Sequence, residues 1–407
     1  MKTMSDVIIV GGGPCGSFTA WNLARHGARV TVFEEHEEVG APSHCAGHLS
    51  IEGLKRLGLY PLPSGIVENL FCGATFHSPN GRFFSVRFPS PVTCAVNRVL
   101  FDKHLAMLAE KAGARYHLRS RVESLIVKDG FVGGVVVDND GSVEEYSSQM
   151  VVDAEGVSSR LMRQAGLSVL DRSRLVNGAE AEVESVRNVQ SDTVEVFLGN
   201  DFAPGFYGWL IPRGEGGAKI GLGTKTGNPK EFLQRLMFEH PVVSKKLARA
   251  KLKHASFHPI SLGGPVANAC SNGFLVVGDA ASHVKPTTGG GVVLGLTCAV
   301  LAAEVAWEAL QEGDFSSRFL SSYNERCRGV LGFDVKTMLR MRRMLDALSD
   351  AQMDKVIDLC GKFKLDKTLL SCGDIDFQGR SFLHVMRSPR VIVALSYFFY
   401  AYLFANP

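Results

Sequence analysis

Gly11, Gly13 and Gly16 stand at the spacing G-x-G-x-x-G within DVIIVGGGPCG (residues 6–16), and Glu34 closes the next apolar run, ARVTVFE. Glycine at the first place permits a tight turn, at the second lets backbone amides approach a pyrophosphate, and at the third lets a helix pack on a strand. The unpaired amides and the positive dipole end of that helix favour phosphate charge. A carboxylate ending the following strand can accept hydrogen bonds from adenosine ribose hydroxyls. This is dinucleotide chemistry, and one such loop does not separate NAD from FAD. A second constellation, Gly278-Asp279-Ala280-Ala281 leading to Gly289-Gly290-Gly291, suits a flavin's ribityl chain and pyrophosphate.

These residues need a strand before them and a helix after them. Asp6 to Val10 reads as a buried parallel strand and Ser17 to His26 as the helix that follows. Residues 39–50, VGAPSHCAGHLS, lack periodicity and read as a loop holding Cys45 and His48. Pro79-Asn80-Gly81 marks a hairpin within 74–88, because Asn-Gly accepts positive φ. A helix is expected over 98–112, then an antiparallel meander over 122–128, 131–138 and 143–147, with 150–154 returning to the parallel sheet. Alternating runs at 179–186, 193–198, 207–211 and 219–223 around a helix near 230–239 predict an inserted sheet. The first pattern resumes at 274–277 and runs into a long helix ending near Leu310. The expected fold class is therefore α/β: a discontinuous Rossmann-like nucleotide domain (1–176 and 263–312), an inserted antiparallel-sheet substrate domain (177–262), and a helical C-terminal region (313–407).

With 407 residues, 45% of them hydrophobic, the chain can bury a large core, and a net charge of +3 without a dense basic block predicts no nucleic-acid partner. Nine cysteines without C-x-x-C spacing predict neither a disulfide framework nor a metal centre. A cytoplasmic location fits, and a strand starting at residue 6 leaves no room for a leader peptide. No run reaches ~18 consecutive apolar residues. The apolar stretch Val391 to Ala405, about 22 Å long as a helix, reads either as a buried terminal helix or as an anchor lying peripherally on the inner face of the cell membrane.

Seven segments in order carry a resemblance: GGGPCG (11–16), Glu34, PSHC (42–45), NRVLFDKHL (97–105), DAEG (153–156), YGWLIPRGEG (207–216) and GDAASHVKPTTGGG (278–291). Together they resemble the flavin-dependent group that includes p-hydroxybenzoate hydroxylase and, more narrowly, the geranylgeranyl reductase family. The resemblance implies FAD as cofactor. By it, Gly11, Gly13 and Cys15 would meet the pyrophosphate, with Gly16 in the same cofactor site as the packing glycine, Glu34 the ribose, Arg98 a phosphate or the ribityl chain, and the strand at Val122 the adenine. Asp279 would bind ribityl hydroxyls, Gly291 and Val292 would lie near the pyrimidine edge, and Cys45 and Ala46 beside the isoalloxazine. Tyr207 and Trp209 match the family's Tyr-x-Trp-x-Phe-Pro motif and would line a pocket for an isoprenoid chain, although two aromatics on one strand face also suit an ordinary core.

Glu155, Ile211 and Ala46-Gly47-His48 depart from the family's usual Asp, Phe and Gly-Glu-Gly, and the last two leave substrate detail and proton delivery open. Cys45 and His48 are the catalytic candidates, beside His283 and a bound water. The implied activity is saturation of carbon-carbon double bonds in geranylgeranyl chains, those of an archaeal-type ether phospholipid foremost. An isoprenoid lipid is the expected partner, with ferredoxin, a deazaflavin or NAD(P)H as external electron donor. Two alternatives stand beside it: a flavin monooxygenase of an aromatic or quinone-like substrate, and a flavin-containing isoprenoid carrier without turnover.

Overall fold

A computed structural model describes residues 4–370, 374–386, 388, 389, 391, 392 and 396. The chain divides into two compact units, each drawn from three stretches of sequence. The first comprises 1–43, 98–174 and 261–333, and the second 44–97, 175–260 and 334–407.

In chain order the first stretch forms β1 (Ser5–Val10), α1 (Pro14–Arg25) and β2 (Val30–Phe33). Residues 44–97 give β3 (His48–Ser50), α2 (Ile51–Arg56), β4 (Val67–Phe71), β5 (Gly73–His77), β6 (Phe83–Arg87) and β7 (Thr93–Val96). Next come α3 (Arg98–Lys111), β8 (Arg115–His117), β9 (Ser120–Lys128), β10 (Phe131–Asn139), β11 (Ser142–Asp153) and α4 (Arg160–Gln164). The stretch from 175 folds into β12 (Leu175–Glu184), β13 (Thr193–Phe197), β14 (Gly208–Pro212), β15 (Ala218–Thr224), α5 (Pro229–Phe238), α6 (Val243–Leu247) and β16 (Lys251–Ser261). Then follow β17 (Cys270–Ser271), β18 (Phe274–Val276), α7 (Val292–Glu312), α8 (Ser317–Asp346), α9 (Asp350–Lys362), α10 (Leu365–Leu369) and α11 (Gln378–Val385).

The first unit is built on a sheet of order β17-β18-β11-β1-β2-β8, in which every pair is parallel except β17 with β18. Its central strands are apolar runs with both faces covered, as parallel sheets require. Val7, Ile8, Ile9, Val32, Val151 and Val152 are all buried. β11 is longer than its sequence suggests. One strand of 12 residues serves the meander with its first half and the parallel sheet with its second, where two strands are expected.

α7 packs along α1. Its approach depends on bare backbone: a Cβ on Gly295 would fall 2.6 Å from the Cys15 sulfur. Among the described residues α7 is long and apolar enough to cross a membrane, yet most of it is buried inside the protein.

The second unit holds a seven-stranded sheet, β16-β12-β15-β14-β13-β5-β6, and a small antiparallel sheet, β3-β7-β4. One face of the large sheet packs Ala179, Ala181, Leu210, Ile220 and Leu222 against Leu233 and Leu236 of α5 and Val243 and Leu247 of α6. Residues 44–97, which the sequence pattern groups with the nucleotide domain, lie in this unit instead. The reason is the parallel pairing of β5 with β13, Gly73 to His77 against Thr193 to Phe197, which makes one sheet from two distant segments. The second part of α8 and the helices after it also belong to this unit, with Ile357 of α9 and Val385 of α11 packed on Phe84 and Val86 of β6. The apolar run Val391 to Ala405 falls, apart from Val391, Ile392 and Ser396, outside the described residues.

Candidate cofactor and substrate sites

In the first unit β1 delivers the chain into a turn at Gly11, whose φ of +98° is open to glycine. A Cβ on Gly16 would sit 2.0 Å from the Gly11 carbonyl oxygen, so the start of α1 can pack on this turn only without a side chain there. Gly13 caps α1 without a side-chain hydrogen bond and no acidic residue occupies the first turn, so the helix presents unanswered amides and its positive dipole end. A Cβ built on Gly13 meets no protein atom within 4 Å. That open space over free amides fits a pyrophosphate.

Glu34, buried at the end of β2, accepts the Gly12 amide at 2.7 Å and meets His36 Nδ1 at 2.5 Å. Its carboxylate is thereby fixed beside the glycine turn. Arg98 opens α3 and grips Asp102 one turn on, through Nε at 3.1 Å and Nη2 at 3.0 Å. Burial pushes the Asp102 carboxyl up, and Arg98 draws it down. Val122 lies in β9, where its carbonyl accepts from Arg160 at 3.1 Å.

A second uncapped helix start faces the same chemistry. Gly291 precedes Val292 at the head of α7, again with neither a capping side chain nor an acidic first turn. A Cβ on Gly291 would lie 2.7 Å from Asp279 Oδ1, so the carboxyl and the helix start approach each other over bare backbone. Burial pushes the Asp279 carboxyl up and the Arg98 charge opposes it. Two open helix starts and two carboxyls at strand ends fit the pyrophosphate, ribose and ribityl groups of FAD.

His283, Cys298 and Cys327 also meet in this unit, with ligand-type atoms within 4.8 Å of one another, though nothing in their spacing announces it. His283 Nδ1 accepts the Gly278 amide at 3.2 Å, so the remaining ring hydrogen sits on Nε2. Burial lowers the His283 imidazole to about 4, keeping the ring neutral.

The second unit gathers the other residues singled out by the sequence. His44 stacks on His258 at 5.4 Å, Cys45 Sγ accepts the Gly47 amide at 3.5 Å, and His48 Nε2 meets Thr93 Oγ1 at 2.7 Å across β3 and β7. Phe206, Tyr207 and Trp209 form an aromatic file, with ring centroids 4.3 Å and then 5.9 Å apart. Trp209 and Ala46 border the apolar cluster of Phe71, Ala95, Val194 and Ile211.

Beside that cluster lies a polar group that sequence reasoning passes over. Lys219, 3% exposed, directs Nζ to the Ala46 carbonyl at 3.2 Å and forms an ionic contact with Glu68 Oε2 at 3.1 Å. Arg213 bridges Glu68 at 2.8 Å and Glu182 at 2.7 Å. Trp209 donates its indole N–H to Glu180 Oε2 at 2.9 Å. A lysine inside the buried run AKIGLG and glutamates alternating with alanines in AEAEVE are the signals that could have found them.

Such a parallel sheet with two open helix starts defines an FAD-binding fold, and residues 4–332 match the FAD binding domain family. The chain is 36% identical to digeranylgeranylglycerophospholipid reductase 2 of Methanothermobacter thermautotrophicus, over 86% of this chain and 90% of that protein. It is 33% identical to the protein of the same name from Methanopyrus kandleri, over 87% and 89%. A solved structure of a geranylgeranyl bacteriochlorophyll reductase-like protein from Thermoplasma acidophilum superposes with a TM-score of 0.86 at 26% identity, covering 97% of this chain and 99% of that one. This chain belongs to the FAD binding domain family and, within it, to the family of the digeranylgeranylglycerophospholipid reductases.

Proposed function

We propose that the protein is an FAD-dependent reductase that saturates carbon-carbon double bonds in the geranylgeranyl chains of archaeal-type ether phospholipids. What carries this reading is similarity to reductases named for that lipid across nearly the whole chain, substrate-side unit included. FAD, when bound, supplies a hydride equivalent. Gly11, Gly13, Cys15, Gly16, Glu34, Arg98, Val122, Asp279, Gly291 and Val292 would hold it, and by the family resemblance Cys45 and Ala46 would belong to its ring end. Tyr207 and Trp209 line the prenyl pocket, with Cys45 and His48 near the reacting carbons. An isolated alkene has no carbonyl to hold developing charge, so alignment in a dry apolar pocket supplies much of the rate. Electrons reach the protein from an external donor of the ferredoxin, deazaflavin or NAD(P)H class.

Lipid mass spectrometry of an expression strain that makes unsaturated geranylgeranyl ether lipid tests this reading. Gains of two hydrogens per double bond, seen only when the protein is present, are expected. Substrate-stimulated consumption of oxygen and NAD(P)H without such gains would replace the reading with a monooxygenase. Recovery of bound, unchanged lipid would replace it with a carrier.

A further inference from the structure

Glu180 of β12, Gly221 of β15 and Trp209 of β14 stand side by side on neighbouring strands. A Cβ on residue 221 would fall 2.5 Å from the Trp209 ring, so only bare backbone lets the indole lie across β15 and reach Glu180. Glu180 is 9% exposed, and the indole that contacts it also borders the cluster of Phe71, Val194 and Ile211.

The charges around it are already matched. Lys219 on β15 and Arg213 after β14 are the cations; Glu68 on β4 takes both, and Glu182 on β12 takes Arg213 a second time. Two cations thus answer two carboxylates. A charge on Glu180 would be a third anion, with a neutral N–H as its hydrogen-bond donor. A buried carboxyl in that position is most stable with its proton on. Burial pushes the Glu180 carboxyl up to about 7; the Lys219 charge and the Trp209 hydrogen bond oppose this, and Glu182 and Glu68 add to it.

By contrast, His48 directs Nε2 to Thr93, and His283 is held neutral in the other unit. Glu180 is a buried carboxyl held by an indole at the edge of an apolar cluster, with its affinity for a proton raised toward the working pH, as a general acid requires.

Resting on the reductase reading above, we propose that Glu180 is the general acid of the saturation. The C=C π bond would break as one carbon gains the Glu180 proton and the other gains the hydride equivalent that FAD, reduced by the external donor, would supply. Two C–H bonds form, the Glu180 O–H bond breaks, and water reprotonates the carboxylate. Trp209 is a positioning residue, aiming the carboxyl and preferring neither carbon itself.

The test uses the FAD-loaded protein in two measurements. Tryptophan emission is titrated with pH in the wild type, Glu180→Gln and Trp209→Phe. A transition near pH 7 in the wild type that both variants lack supports the proposal, and its persistence in Glu180→Gln overturns it. Saturation of geranylgeranyl lipid by chemically reduced enzyme is then followed by mass. Glu180→Gln is expected to fall by about 100-fold or more, with FAD binding unchanged and Glu180→Asp keeping part of the rate, and wild-type activity is expected to decline as pH rises through 7. If Glu180→Gln turns over like the wild type, the proposal fails and the reductase reading stands. If the wild type itself leaves the lipid unchanged, the reductase reading fails, whatever the emission titration shows.

Discussion

Lys219 holds the Ala46 carbonyl oxygen 3.2 Å from its ammonium nitrogen, tying the middle of a buried strand to the loop that carries Cys45. The same ammonium lies 3.1 Å from Glu68 and is almost wholly removed from water. A lysine accepts such burial only where acceptors and a counter-charge surround it.

Lys219→Met tests that arrangement. The methionine fills most of the volume but leaves the Glu68 carboxylate with Arg213 as its one remaining ion pair among the described residues. A loss of about 3 kcal/mol is expected in urea unfolding, together with faster amide exchange over residues 44–48. Unchanged exchange there would show that the loop is held by other contacts.

Gly13 and Gly16 make a contrasting pair. Gly16→Ala drives a methyl into the Gly11 carbonyl and is expected to destabilise the protein and to abolish FAD binding. Gly13→Ala meets no protein atom within 4 Å, so its melting temperature without FAD should match the wild type, while FAD affinity is expected to fall about tenfold or more, since the proposed cradle puts the pyrophosphate where the methyl would stand. Calorimetric titration with FAD and thermal melts separate the two.

Gly221→Ala places its methyl against the Trp209 ring. The indole must then leave Glu180, and its emission should move to longer wavelength as the ring reaches water. Loss of the pH-dependent component of that emission is expected with it. An unshifted spectrum would mean that the sheet bends instead of the side chain.

Acid stability follows from two buried imidazoles. Burial lowers His240 and His283 to about 4, against 6.5 for an unfolded chain. Between those values the unfolded chain takes up protons that the folded one refuses, so stability is complete above 6.5 and is lost as pH falls toward 4. Each histidine accounts for at most about 3 kcal/mol of that loss. Urea unfolding at pH 7.5 and pH 5 should show the difference, and His283→Gln should reduce it.

Much of the first unit is legible in the sequence because its signals are local. The strand before Gly11, the turn and the helix after it lie within a few residues of each other, and each glycine answers a steric demand that neighbouring backbone imposes. The hairpin at Asn80-Gly81 and the meander are local in the same way. Less legible are features whose partners lie far off in sequence. The continuity of β11 is one, since a single strand changes partners from β10 to β1 midway. The membership of residues 44–97 is another, because nothing in GATFH announces that β5 pairs with β13.

The sequence by itself determined the strand, glycine turn and helix over residues 5–25, because glycine spacing and apolar runs act over short stretches of chain. Only the tertiary structure decided that Lys219 and Arg213 meet Glu68 on one side of the sheet while Glu180 stands beside them on the Trp209 indole. A polar residue on a strand reads as solvated until the register of neighbouring strands fixes what stands beside it. Register is set by the packing of whole sheet faces, which no short stretch encodes.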